Sequence, residues 1–358
     1  MAISAGRSYV LRNRKSGIVL NVAGNSTHAG NRLDTWRLDT GQYRTSQVWH
    51  IFPLDDGGHL IANKFSGLVA TVVDSSAAPS AKLEQNTLQT GPAALQTWLV
   101  REAPGGGHHI VNQRTGLYLG LQGNATGSGT QTQQDFFHRP PQATNVWDLE
   151  PEDEYRPVLD LAPVPAGPSD IGDVVRLTGF GQPSQQQTAP VLIGQVALPF
   201  PLITDSALPR TRQGIESPYY LLKRQGYWKL AHYYDHSGAT QQTRTQQIAV
   251  GLTTPNAPAV QTATGISVTA DASFAYTGFT ASLGTTISRG LKTTTSSSAT
   301  PESSRTHTLN RIYPQGSRVA EALWYKEDKY TLTRLDGTVA VEWSTRDPNT
   351  CVSDAWSS

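Results

Sequence analysis

Two histidines four residues apart, His232 and His236, are the first pair whose types and spacing could do chemistry. On a helix they would share a face and could hold a metal ion. Their surroundings, Tyr219-Tyr220-Leu221-Leu222 and Tyr233-Tyr234, read as strand, where such positions stand about 13 Å apart, and no Glu follows the first histidine. A metal site is not expected. Gly179-Phe180-Gly181 lacks the third glycine and the helix of a dinucleotide loop and reads as a turn. No serine elbow, paired-carboxylate signal or kinase-like set is visible. A single cysteine, Cys351, excludes an internal disulfide and a cysteine-built zinc cluster. The residues point to recognition rather than to catalysis, with no cofactor.

Recognition has a clearer signature. Leu11-x-Asn13-x-x-Ser16-Gly17, Ile61-x-Asn63-x-x-Ser66-Gly67 and Ile110-x-Asn112-x-x-Thr115-Gly116 are copies of one pattern. Each precedes a Gln-x-Trp or its variant: Gln47-Val48-Trp49, Gln96-Thr97-Trp98 and Asn145-Val146-Trp147. The tryptophans recur with a period of 49 residues, and self-similarity at a fixed period outranks any local reading. Runs such as Ser8-Tyr9-Val10-Leu11, His59-Leu60-Ile61 and His108-His109-Ile110-Val111, broken by Gly, Asn or Pro, are strands and turns. The glycine of each repeat suits a turn with positive φ, and the tryptophans suit a core where three lobes meet.

Composition bounds the partners. The chain has 358 residues, 29 Lys and Arg against 28 Asp and Glu, and a net charge of +1, so nothing marks it for nucleic acid or an anionic surface. The first residues show no charged start followed by an apolar run, and no stretch is long and apolar enough for a spanning helix. The expected product is soluble and carries no secretory signal.

The repeats resemble the ricin B-chain type β-trefoil lectins over about residues 5–150. In that family a lobe binds sugar with an Asp shortly after the Gly, an aromatic ring further on, and polar side chains near the Gln-x-Trp. A carboxylate accepts from vicinal hydroxyls while a ring covers the apolar face of the pyranose. Here the Asp position holds Asn21, Thr71 and Gly120 in the three lobes. The resemblance therefore implies a carbohydrate site in the first lobe, from Asn21, Asp34, Trp36 and Gln47, although Ser46 stands where the family has Asn. The third lobe offers Phe136 and Phe137 as a platform but no acceptor, and the second offers neither. Asn21 also reads as a turn residue and Trp36 as a partly buried lobe tryptophan, while Gln47 and Gln96 read as structural.

The expected architecture is all-β: a trefoil over residues 1–150, a Pro-rich, partly acidic connector over 151–170, and an antiparallel β module over 171–358. Strand-like runs in the last part include Val174–Leu177, Val191–Gly194, Tyr219–Leu222, Val319–Tyr325 and Val339–Trp343. Between Arg244 and Arg289 the only charge is Asp271, and 22 of the 47 residues from Thr262 to Thr308 are Ser or Thr. Ile266, Val268, Ala270, Ala272, Phe274 and Tyr276 alternate with polar residues, and Phe279, Ala281, Leu283 and Ile287 continue the pattern after a turn at Thr277-Gly278. Two such arms match the length of tilted membrane-crossing strands, which must close into a barrel to satisfy their edges. A soluble half-buried hairpin or a flexible Ser/Thr loop explains the same pattern.

Val191-Leu192-Ile193-Gly194 with Pro199, Pro218-Tyr219-Tyr220-x-Leu222-Lys223 and Tyr227-Trp228-x-x-Ala231 resemble the Tpp insecticidal proteins, the family of the binary mosquitocidal toxins. That family places a β-trefoil before an elongated, aerolysin-like pore-forming module. The resemblance implies a toxin made without a signal peptide, in cytoplasm or crystal inclusion, that acts at target-cell membranes. Its implied partners are a cell-surface glycan or glycoconjugate receptor, copies of itself on the membrane and a second toxin component, and residues 266–288 become the inserting hairpin. Asp at Ala270 and Phe274 is then expected to spare the monomer and abolish permeabilisation. The alternative reading is a lectin without pore activity, and a weaker third is a glycosidase targeted by its trefoil.

Overall fold

The computed structural model describes residues 3–89, 95–137, 144–164, 167, 169–253, 257–276, 281–296 and 303–358, excluding the side chains of residues 257 and 281–283. Twelve strands make three lobes. Lobe 1 has β1 (Arg7–Asn13), β2 (Val19–Val22), β3 (Asn31–Trp36) and β4 (Val48–Pro53). Lobe 2 has β5 (His59–Asn63), β6 (Val69–Val72), β7 (Leu83–Asn86) and β8 (Thr97–Glu102). Lobe 3 has β9 (His108–Asn112), β10 (Tyr118–Leu121), β11 (Thr130–Asp135) and β12 (Trp147–Glu154). β12 returns to pair with β1.

Each repeat does the same physical work three times. The Oδ1 of Asn13, Asn63 and Asn112 accepts the backbone N–H of Ser16, Ser66 and Thr115 at 3.1, 3.1 and 3.2 Å. The following glycines take φ of 73°, 72° and 71°, which only glycine adopts without strain. Trp49, Trp98 and Trp147 are fully buried, and their Nε1 donates to the carbonyls of Leu20, Ala70 and Leu119. Each thus buries a large apolar ring with its single polar atom satisfied.

The connector differs from its sequence expectation in how much of it packs. Residues 151–154 extend β12, and α1 (Arg156–Leu159) lies against Gly6. Val174–Leu177 forms no strand; this segment lays Ile171, Val174 and Leu177 against Trp228, Ala320, Ala322 and Trp324.

The second module is built on β13 (Val191–Pro199), β14 (Tyr219–His236), β15 (Gln242–Leu252), β18 (Ser304–Tyr313), β19 (Val319–Thr333) and β20 (Val339–Ser357). These form one antiparallel sheet in the order β13-β14-β19-β20-β15-β18. Three strands are unusually long, at 18, 15 and 19 residues for β14, β19 and β20. β15 pairs with β20 at Gly251 and Leu252 and with β18 along its length, and Ile248 and Val250 pack on Leu323 and Tyr325 of β19.

The uncharged segment is where the structure corrects the sequence. It holds α3 (Ala257–Thr264), the short strands β16 (Ile266–Val268) and β17 (Phe274–Tyr276), and α4 (Ala281–Leu291); α2 (Arg210–Glu216) lies before β14. Ala270 and Ala272 sit in the turn between β16 and β17, where Ala272 has a φ of 57°. The return arm is helical: Ala281, Leu283 and Ile287 belong to α4, while Phe279 and the Thr277-Gly278 turn lie outside the described residues. Leu283, Ile287 and Leu291 are spaced by four, so the run fits a helical face as well as alternation, and packing decides. Ile266, Val268, Phe274, Ile287 and Leu291 join one core with Tyr330, Leu332 and Trp343. Phe274 is fully buried beside Tyr330 and Trp343, so Asp there would leave a charge in the core and is not the benign monomer substitution the alternation suggested.

The same core crosses into the trefoil through Phe52, Leu54, Leu60, Ala62 and Val69, which meet Phe200 and Tyr219. The Gly6 N–H donates to the Tyr219 hydroxyl at 2.9 Å. Lobe 2 docks together with β4 of lobe 1: a side chain at Gly67 would strike Arg210, and one at Gly214 would strike the Lys64 carbonyl at 2.4 Å. His50 is fully buried at this junction, ringed by Phe52, Tyr155 and Phe200. Its Nε2 donates to the Gly214 carbonyl at 2.7 Å, and Nδ1 has no partner. Burial, opposed by that carbonyl, lowers its pKa from 6.5 to about 4. The neutral ring belongs to the folded state. The unfolded chain takes up the proton near pH 6.5, so this contribution is complete above that pH, falls as pH drops toward 4 and levels off below, a loss of roughly 3 kcal/mol. His50→Gln, which retains a donor for Gly214, should lose less stability than the native chain between pH 7 and 4.5, measured by thermal midpoint.

Candidate functional site

β2 and β3 pair with Asn21 opposite Asp34, so the two side chains emerge together on one face of the ladder. Asn21 Nδ2 donates to Asp34 Oδ1 at 2.8 Å and to the Val22 carbonyl at 3.0 Å, which leaves the amide oxygen as an acceptor. Asp34 is almost wholly buried, and its Oδ2 lies 3.6 Å from Arg32 Nη2. Burial raises the Asp34 carboxyl above the ordinary Asp range, with the Asn21 hydrogen bond and Arg32 pulling the other way. The lobe-1 carboxylate has thus moved from the strand that holds Asn21 to the neighbouring strand.

Trp36, at the end of β3, is half exposed at 50% and borders the same hollow. The lobe-3 turn supports its ring: a Cβ on Gly129, at φ 81°, would sit 3.3 Å from it. Asn21, Arg32, Asp34, Trp36 and Gln47, with Asn25, Asp39 and Tyr43, line a pocket of about 310 Å³. Gln47 forms its wall rather than its chemistry. Its Oε1 accepts the Asp39 N–H at 2.7 Å and its Nε2 donates to the Arg37 carbonyl at 2.9 Å. Ser46 is buried and donates to Asn25 Oδ1 and the Tyr43 carbonyl, holding both neighbours in place.

The pocket offers the Asn21 amide oxygen, the carboxylates of Asp34 and Asp39, one guanidinium and the rings of Trp36 and Tyr43, a set suited to a polyhydroxylated ring with an apolar face. Asn25, Arg32, Asp39 and Tyr43 join the pocket without a mark in the sequence pattern; Asn25 closes a short turn, 23–25, that recurs at 73–75 and 122–124. The signal that could have found two of them is the polar, aromatic run Asp39-Thr40-Gly41-Gln42-Tyr43 just before Gln-x-Trp.

Phe136 and Phe137 lie elsewhere. Both are exposed; Phe137 packs edge-on to His109 at 5.3 Å and beside Tyr118 at 5.4 Å. In lobe 3 the buried Asn145 amide has no partner at either end, unlike Gln47 and Gln96, and Gly120 gives no side chain to the surface. In lobe 2 the Thr71 hydroxyl donates to the Val69 carbonyl. His232 and His236 are on β14, with His236 Nε2 against the Pro314 carbonyl, and among the described residues no group of three His, Cys, Asp or Glu could hold a metal.

Residues 3–86 and 45–135 match the ricin-type β-trefoil lectin domain-like family, and residues 191–358 match the family described as Insecticidal Crystal Toxin, P42. The second module is thus similar in sequence to the P42 insecticidal crystal toxins. No curated protein matches at sequence level. The crystal structure of Cry35Ab1 shares the fold over 99% of this chain and 90% of its own, with a TM-score of 0.78 and 15% identity. Trefoil structures align with smaller shares. The designed threefold-symmetric ThreeFoil covers 40% of this chain and 97% of its own (TM-score 0.37, 24% identity). The Macrolepiota procera ricin B-like lectin, solved with lactose, covers 42% and 99% (TM-score 0.34, 18% identity). The chain therefore joins a segment similar to the P42 insecticidal crystal toxins to a trefoil similar to the ricin-type lectins, with a pocket in lobe 1. Gln47→Ala should cost about 1–3 kcal/mol, since the Asp39 N–H and the Arg37 carbonyl lose their partner, and denaturant unfolding would measure it.

Proposed function

We propose that this chain is a pore-forming toxin. Its trefoil holds it to a cell-surface glycan through lobe 1. Its second module then associates with copies of itself and carries residues 266–288 into the target membrane. The observation that carries the docking step is the Asn21–Asp34 pair beside the half-exposed Trp36 in one pocket. The ricin-type family match supports the same step. Catalysis has no part in this reading. In this reading the protein acts outside the cell that makes it, at target-cell membranes.

The membrane step is supported by the single charge between Arg244 and Arg289, and by the toxin family to which the module is similar. Among the described residues no helix is long and apolar enough to cross a bilayer, so strands would form the crossing. Ile266, Val268 and Phe274 would exchange the monomer's core for lipid, and α4 would become strand. A second reading, a glycan-binding protein without pore activity, draws on the same residues: core packing alone accounts for their alternation.

Two measurements separate these. On a glycan array and by titration with the best sugar, Trp36→Ala should weaken binding by roughly fivefold or more and Asp34→Asn by more, while Phe136→Ala leaves it unchanged. Binding through a carboxylate with a raised pKa should fall as pH drops through that value, earlier than for an ordinary Asp. Equal loss with Phe136→Ala would move the site to lobe 3. In the second measurement, dye-loaded vesicles made from lipids of responsive cells should leak, and free sugar should suppress the leak. Release only when another protein is added would make the chain one half of a binary toxin, and no release with either would leave the lectin reading.

A further inference from the structure

α4 is a helix that its own sequence does little to sustain. Its eleven residues, Ala281 to Leu291, include Gly284 and Gly290 and the β-branched run Thr285-Thr286-Ile287. Those residues disfavour an isolated helix of this length. Its last turn closes with Lys292 at φ 53° and a Thr293 N–H bond to the Ser288 carbonyl. What keeps it helical must be what it packs on.

The packing converges on one buried cation. Arg224, on β14 and 7% exposed, aims its guanidinium at the C-terminal end of α4. Its Nη1 donates to the Leu291 carbonyl at 3.1 Å and to the Lys292 carbonyl, and Nη2 donates to Asp328 Oδ2 at 2.6 Å. Lys326 Nζ lies 3.6 Å from the same Asp328 oxygen, and among the described residues neither Arg224 Nε nor Asp328 Oδ1 has a partner. Both bonds of Nη1 therefore depend on α4 staying in place. The helix end meets β13 equally closely. A Cβ on Gly194 would stand 2.6 Å from Leu291 Cα, and one on Gly290 would stand 2.8 Å from Val196 Cβ. A bulge in β13 between Leu192 and Gly194 makes room for this approach.

We propose that Arg224 is the latch that holds α4 in its helical, water-soluble packing, and that its release gates the conversion of this segment to strand. The inference rests on the membrane reading above and adds to it the contact that must break first. While α4 is seated, the two Nη atoms of the guanidinium donate to two carbonyls and a carboxylate. When α4 lifts, Arg224 loses two acceptors in a buried site, so departure waits until water or a rearranged neighbour replaces them. A segment rich in Thr and glycine then has little to hold it helical.

The first test is independent of any membrane. Arg224→Lys keeps the charge and removes the fork, and hydrogen exchange should show the amides of 284–292 opening at least tenfold faster while β19 and β20 keep their protection. Unchanged exchange in α4 overturns the latch. The second test uses Val196→Cys with Gly290→Cys in a Cys351→Ser background, because Cys351 is an exposed thiol. The two new Cβ atoms start within 2.8 Å, so a small outward shift admits a disulfide across the latch. On phosphatidylcholine–phosphatidylethanolamine vesicles containing glycolipid from responsive cells, the oxidised protein should release dye at least tenfold more slowly than the reduced protein. Equal release in both states sinks the latch alone. Release in neither state sinks the membrane reading and the latch with it.

Discussion

The trefoil and the long sheet share one apolar core, and the rest of the molecule is arranged around that shared burial. The cluster runs without a break from Phe52 and Leu60 of the trefoil, through Phe200 and Tyr219, to Tyr330 and Trp343. Two β domains joined only by a linker would each need a closed surface; here lobe 2 and β4 of lobe 1 give their surface to the junction. The burial sets the protonation state of His50 and leaves the Gly17 and Gly116 turns of lobes 1 and 3 open. It also fixes which end of the long strands lies beside the trefoil, since Tyr219 and Pro199 pair at that end.

Threefold repetition made the trefoil readable, and the breaking of that symmetry made its site harder to read. The Asn-x-x-Ser/Thr-Gly turn and the Gln-x-Trp tryptophan recur because each lobe must satisfy the same buried backbone groups. Asn21, Asp34 and Trp36 were within reach of the sequence because they sit at set distances from those anchors. That Asp34 could stand in for a missing carboxylate at position 21 required the β2–β3 register, which spacing along the chain does not state. Asn25, Arg32, Asp39 and Tyr43 reach the pocket from a short turn, a strand edge and a loop.

The second module was legible where strands are long and regular and illegible where two periods agree. Val191–Gly194, Tyr219–Leu222, Val319–Tyr325 and Val339–Trp343 all lie within sheet strands. Leu283, Ile287 and Leu291 satisfy helical spacing while Ala281, Leu283 and Ile287 satisfy alternation, and only a seat against Gly194 and Arg224 settles the matter. Long-range packing overrode local propensity there, as it did for Val174–Leu177, whose apolar residues cover Trp228 and Trp324 without forming a strand.

The three equivalent glycine turns have different surroundings. Gly67 is pressed against Arg210, whereas Gly17 and Gly116 have open space where a side chain would be. Of these three turns, only the lobe-2 one is pressed against the second module. The turns at Gly17 and Gly116 answer only to their own backbone conformation, since a side chain there meets no neighbour.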